Sequence, residues 1–421
     1  MVLPETHRQY LYYFNSLAAF WFFAFIIVGP KYSIASSALL LLSLITLPSK
    51  LGRVGTALKT QLPWILGIGV YCVYHIAYRY FEGLPADRFD PPLRYLAAIP
   101  ILIYLQLYGF SQTALGLGAA AGCLIGGGAG IHEVVSGHAA RAGSTIAHHP
   151  IPYGTLVALL ATTAICCATS TRSLALRGLL LLGAAVGLVA AIYSGTRGLY
   201  PAAILGLSYL GYRTFRSRGV SRGKILSLVI SLTLTASSIA YQFPTVERRL
   251  KETVFEIRKI ESGDLNTSIG QRLQMWHTAI HLFSQNPVFG SGSDKAGRSS
   301  QASSFLAEHG YSKRVLAYDH FHNEYLHALA AHGAAGFMVL IGLFWGALRG
   351  LSAAQRVPVT TLLIVIAIEA LTEGVFIDTK LTTAFIFLIT LLRAHAFWRD
   401  HSAESALTPC DSPFRIPKRS L

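Results

Sequence analysis

Long apolar runs dominate the chain, broken by short polar connections. They recur at 14–28, 32–47, 62–80, 92–108, 113–135, 151–168, 176–194, 199–215, 225–243, 323–348, 358–376 and 381–397. Helices of this kind cross about 30 Å of hydrocarbon, and only helices or closed barrels satisfy every backbone polar group in lipid. The pattern therefore predicts an all-α polytopic membrane protein with about twelve transmembrane helices. It divides the chain into nine spans over 1–243, a large polar loop over 244–321, three more spans over 322–398 and a polar tail over 399–421.

The connections at 49–61, 170–178, 213–224 and 348–357 hold about a dozen Lys and Arg and no acidic residue, which assigns them to the cytoplasm. The connection at 80–94 balances its bases with Glu82, Asp87 and Asp90 and belongs outside. By this parity both termini are cytoplasmic. Glu5 and Arg8 precede an apolar run without a small-residue cleavage site, so the first span reads as uncleaved. The loop 244–321 faces outward, which in a Gram-negative inner membrane means the periplasm.

Within that loop, Val246, Leu250, Val254 and Ile257 recur at helical spacing, with Glu247, Arg248, Lys251, Glu252 and Arg258 on other faces. This predicts an amphipathic helix at the membrane surface. A second helix is predicted from about 270 to 285, with Leu273, Trp276, Ile280 and Phe283 on one side, stopping before Pro287.

Composition agrees with the hydropathy: 52% of residues are hydrophobic and 13% charged. The net charge of +15 is to be apportioned between the two sides of the bilayer and needs no nucleic acid. Cys72, Cys123, Cys166 and Cys167 sit in apolar runs and Cys410 in the tail, in no disulfide or zinc pattern.

Three basic residues on the outer side carry the candidate chemistry. Arg197 lies in Tyr193-Ser194-Gly195-Thr196-Arg197-Gly198, a turn so short that its guanidinium sits at the bilayer surface. Arginine's planar fork matches phosphate oxygens bidentately, and a lipid-linked diphosphate lies at that depth. Arg272 follows Gly270 and precedes Trp276 in the first turn of the second loop helix. His322 opens Phe321-His322-Asn323-Glu324-Tyr325-Leu326, placed by the pattern in the first turn of a membrane helix, where a neutral imidazole suits a general base. Arg141, His148 and His149 form a further basic loop in a supporting role. His320 and His322 make a His-x-His pair, but no third metal ligand is evident, so no metal or other cofactor is assigned. Asn323 can orient substrate hydroxyls. Glu369 and Glu373, one helical turn apart in an apolar run, read as a buried structural pair.

In order along the chain, Ser194 to Gly198, Gly270 to Trp276 with Asn286-Pro287 and Gly290-Ser291-Gly292, and His322 to Leu326 resemble the signature of the O-antigen ligase and polymerase superfamily. Within it the chain looks most like an O-antigen ligase. The resemblance implies a GT-C-like glycosyltransferase in lipopolysaccharide biosynthesis. It would transfer a glycan from undecaprenyl diphosphate to lipid A core on the periplasmic face, without metal. By motif, Arg197 and Arg272 would hold the diphosphate and His322 would activate the acceptor hydroxyl, with Arg141, His149, His320, Asn323 and Trp276 as substrate-binding candidates.

An O-antigen polymerase shares the donor and is separated poorly by sequence. A protein-directed oligosaccharyltransferase of the same superfamily is a further reading, disfavoured because no added domain suited to a protein acceptor is evident. A lipid-linked glycan transporter is the reading from another class, but no inverted repeat or paired broken helices support it.

Overall fold

A computed structural model describes residues 5–404; residues 1–4 and 405–421, which hold Cys410 and most of the predicted tail, lie outside the described residues. The helices are α1 (Glu5–Phe25), α2 (Tyr32–Thr46), α3 (Leu51–Phe81), α4 (Asp90–Tyr108), α5 (Gln112–Gly122), α6 (Gly128–Val135), α7 (Pro150–Ser170), α8 (Leu174–Tyr193), α9 (Leu199–Ser217), α10 (Arg222–Tyr241), α11 (Pro244–Glu261), α12 (Ser268–Gln285), α13 (Lys295–Glu308), α14 (Glu324–Leu348), α15 (Ala353–Glu369) and α16 (Thr379–Glu404). No β-strand occurs among the described residues.

The chain is an all-α polytopic membrane protein, as the hydropathy predicts. Among the described residues, six helical segments are long and apolar enough to cross a membrane alone: Tyr32–Lys50, Gln112–Val135, Pro150–Ser170, Leu174–Tyr193, Glu324–Leu348 and Thr379–Trp398. The remaining apolar runs also fold as helices, but carry more polar side chains, such as Gln61 in α3 and Arg94 in α4. A span lined by other helices tolerates polar groups that face partners.

Close helix contacts rest on small residues. A Cβ at Gly118 or Gly122 of α5 would strike the backbone of Phe20 or Phe23 in α1, so glycine there lets the two helices touch along their backbones. Helices α7 and α8, α3 and α14, α4 and α16, and α9 and α15 pack in pairs around one core. At the C-terminal end of α14, the fully buried Arg393 donates to the Ala347 and Arg349 carbonyls at 2.9 Å each and to Gln61 Oε1 at 2.9 Å. It satisfies carbonyls that the end of α14 would otherwise leave unpaired.

Helices α11 to α13 form the loop region with a small second core of Met275, Ala279, Leu282, Ala302, Leu306 and Phe321. The buried side of α12 is Gln274, Met275, Thr278, Ala279 and Leu282. Leu273 and Ile280 of its predicted apolar side are exposed, as are Leu250, Val254 and Ile257 of α11. Both helices present apolar side chains outward, as helices lying on a bilayer surface do.

Candidate active site

The segment 286–292 is held inside a break in α14. Gly333 adopts φ +66, ψ −166 within that helix, and the opened backbone pairs with the loop. Ala334 N donates to Pro287 O at 2.8 Å, Ala335 N to Val288 O at 3.1 Å, Ser291 N to Ala330 O at 2.8 Å and Gly292 N to Ala331 O at 3.0 Å. Tyr78 of α3 donates to Phe289 O at 2.6 Å and Ala331 O at 3.0 Å, closing the joint. The Asn-Pro and Gly-x-Gly elements thus fasten α12 to the helix that follows His322.

Asn323 is the N-cap of α14, its Oδ1 accepting from Leu326 N at 3.0 Å. This gives it a structural task in place of the expected contact with substrate hydroxyls. His322 therefore precedes the cap instead of lying in the first turn, and its backbone takes φ +46, a left-handed conformation uncommon outside glycine. Strain of this kind persists where surrounding contacts impose it.

Those contacts centre on Glu373. His322 Nδ1 lies 3.0 and 3.1 Å from the two Glu373 oxygens, His320 Nε2 lies 2.8 Å from Oε1, and Arg272 Nη2 lies 3.8 Å from Oε2. The predicted pairing of Glu369 with Glu373 on one helix is not what forms. Helix α15 ends at Glu369, and the irregular stretch 370–378 turns Glu373 toward the histidines. Glu369 remains buried, beside Gly198 and Thr372. A carboxylate only accepts hydrogen bonds, so the Glu373 contact places the His322 proton on Nδ1 and leaves Nε2 with its lone pair.

Burial pushes His320 down to about 4, against the pull of Glu373, so that ring is neutral near pH 7. His320, His322 and Glu373 place one ligand atom each within 4.8 Å of one another, and Glu373 is the third ligand the sequence did not reveal. Arg272 beside that carboxylate opposes a cation there.

Arg197 is held elsewhere in the same region of the fold. Its Nη2 lies 2.9 Å from Glu256 Oε1 and 3.2 Å from Glu252 Oε2, both on α11. Glu256 is buried and its other oxygen accepts from Ile269 N at 2.7 Å, so one carboxylate ties Arg197 to the first turn of α12, the helix bearing Arg272. The motif glycine at 270 is required because a Cβ there would strike Leu265.

Arg141 donates through Nε to Ser194 O at 2.6 Å, over the turn that carries Arg197. Its loop is fixed by Glu133, which accepts from Gly143 N at 2.8 Å, Ile146 N at 2.7 Å and the Thr145 hydroxyl. Burial, reinforced by Arg249, Arg197 and Arg272, pushes Arg141 down to about 10. His149 caps α7 and is lowered by burial, within electrostatic reach of Glu373, Arg141 and His322. Trp276 goes to the second core instead of the charged cluster.

The structure thus gathers Arg141, His149, Arg197, Arg272, His320 and His322 into one electrostatic neighbourhood and adds Glu373, Glu256, Glu133 and Arg249. The signal for Glu373 was present, since a carboxylate in an apolar run wants a partner. The sequence did not show that the helix stops before it.

Residues 156–341 match the family described as O-Antigen ligase. Residues 156–341 are thus similar to the O-antigen ligase family. The matched segment contains Arg197, Arg272 and His322, while Arg141, His149 and Glu373 lie outside it. An uncharacterized protein of Haemophilus influenzae is 29% identical over 153 residues, covering 35% of this chain and 37% of that relative. The matched segment lies within a chain whose apolar helices are long enough to cross a membrane.

Proposed function

We propose that this protein is an O-antigen ligase, transferring a glycan from undecaprenyl diphosphate to a sugar hydroxyl of lipid A core on the periplasmic face of the inner membrane. The observation that carries this reading is the His322–Glu373 contact beside Arg272. It combines a base of fixed tautomer with a cation for a departing anion. His322 Nε2 takes the proton of the acceptor hydroxyl as its oxygen bonds to the anomeric carbon. The bond from that carbon to the diphosphate oxygen breaks, and Arg272 and Arg197 stabilise the leaving undecaprenyl diphosphate. His322 then releases the proton to water. Attack opposite the leaving group inverts the anomeric configuration, and no step requires a metal. Arg141 and His149 border the donor side, and His320 holds Glu373 from the other flank.

The basic connections at 49–61 and 213–224 support cytoplasmic termini and an outward site. A polymerase would use the same residues on a second lipid-linked acceptor. Deleting the gene and displaying the lipopolysaccharide on a gel separates the two. Core-only lipopolysaccharide with long glycan left on its lipid carrier identifies a ligase, and a single repeat attached to core identifies a polymerase. Complementation by wild type but not by His322→Ala, Arg272→Ala or Arg197→Ala ties the phenotype to this site.

A further inference from the structure

The arginines assigned to the leaving group are already engaged with carboxylates, and one of those carboxylates differs from the rest. Glu256 is buried and caps α12, and Glu373 is buried under two histidines. Glu252 has a side chain 38% exposed and makes no bond that holds another element's backbone. Its Oε2 sits between two guanidinium groups, 2.7 Å from Arg249 Nη1 and 3.2 Å from Arg197 Nη2, while Oε1 lies 3.8 Å from Arg248 Nε. Although burial works to raise it, the flanking Arg249 and Arg197 hold the Glu252 carboxyl below its ordinary range.

Arg249 lies mostly buried, and its Nε, enclosed by protein, has no hydrogen-bond partner. It lies over Gly195, where φ is +62 and where a Cβ would come within 2.9 Å of Arg249 Nε and 3.5 Å of Arg141 Nε. The turn before Arg197 is thus kept bare so that Arg249 and Arg141 can stack over its backbone. Arg197 and Arg249 share the half-exposed Glu252 oxygen, Arg197 also holds the buried Glu256, and Arg141 lies beside them over Gly195. An oxygen shared by two guanidinium forks is in the position of a phosphate oxygen, and a diphosphate offers more acceptors and more charge than a carboxylate does.

We propose that Arg249 and Arg141 belong with Arg197 and Arg272 to the diphosphate-binding subsite, and that Glu252 is a resident anion which the incoming diphosphate displaces. This rests on the reading that the donor is a lipid-linked diphosphate. Glu252 keeps the arginines together and charge-balanced between turnovers, and it competes with the donor for them.

The test is binding of undecaprenyl diphosphate and, separately, of inorganic pyrophosphate to the purified full-length chain in detergent. Glu252→Gln keeps the shape and removes the charge; it should bind the lipid diphosphate about three- to tenfold more tightly than wild type. Arg249→Ala should bind it at least tenfold more weakly, and Glu252→Asp, which keeps the charge, should not show the tightening of Glu252→Gln. Pyrophosphate following the same order supports a subsite that reads phosphate alone. Lipid diphosphate following it while pyrophosphate fails to bind supports a subsite that also needs the isoprenoid. Unchanged or weaker binding by Glu252→Gln, or full affinity in Arg249→Ala, overturns the proposal. If pyrophosphate obeys the predicted order and undecaprenyl diphosphate binds to no variant, the donor reading fails and the anion subsite stands.

Discussion

Replacing Glu373 by Gln preserves volume and removes the charge that faces His322. The two Nδ1 contacts at 3.0 and 3.1 Å lie in a site where both side chains are largely buried. When His322 takes the acceptor proton, the imidazolium gains an attraction to this carboxylate of about 5 kcal/mol at an effective dielectric of 20 and 3 Å. Arg272 at 3.8 Å already draws on the same carboxylate and offsets part of that gain, so about 3–5 kcal/mol is the expected share. At 1.36 kcal/mol per decade, kcat should fall by about 10²- to 10⁴-fold. The amide can also donate to Nδ1, which places the ring proton on Nε2 and removes the base outright. Donor KM should stay level or drop, because Arg272 loses its carboxylate partner. The assay is transfer of a lipid-linked glycan to purified core lipopolysaccharide, with kcat and donor KM measured for wild type, Glu373→Gln and Glu373→Asp. A kcat within threefold of wild type, or a defect confined to donor KM, refutes the role given to Glu373.

Gly333→Ala should lower stability by about 1–3 kcal/mol, because φ +66 is strained for alanine and the new Cβ strikes the Val288 carbonyl. A reduced melting temperature in detergent checks this. His320 is neutral in the folded protein, with its ordinary value of 6.5 pushed down to about 4. The stability this contributes is therefore full above about pH 6.5 and is lost as pH falls toward 4, by on the order of 3 kcal/mol. His320→Gln should flatten the melting-temperature profile across that window. Asn323→Ala, which removes the cap of α14, should reduce stability by about 1 kcal/mol and shift kcat through the position of His322. Treatment with EDTA should leave transfer unchanged; a loss restored by zinc would show that His320, His322 and Glu373 hold a metal.

The sequence made the membrane helices legible because hydrocarbon imposes long apolar runs, and each such run is helical over most of its length. It also indicated which arginines and which histidine to inspect, through short motifs at helix ends. What it concealed depended on where helices stop. Glu369 and Glu373 share a face on a continuous helix, so the sequence suggested a mutual pair, and only the ending of α15 at Glu369 turns Glu373 toward His322. Asn323 resembled a ligand contact because capping and substrate binding call for the same amide. Leu273 and Ile280 have helical spacing, but spacing alone does not distinguish a face turned to protein from one turned to a bilayer. The break at Gly333 could not be read because the residues that fill it, 286–292, lie about forty positions away.

The most direct test of the account is a reconstituted reaction with the purified protein, a glycan on undecaprenyl diphosphate and core lipopolysaccharide, comparing wild type with His322→Ala. The account predicts that the variant binds the lipid-linked donor as wild type does yet forms no product, while wild type forms product with inverted anomeric configuration. Substantial transfer by His322→Ala, or retained configuration in the wild-type product, would contradict it.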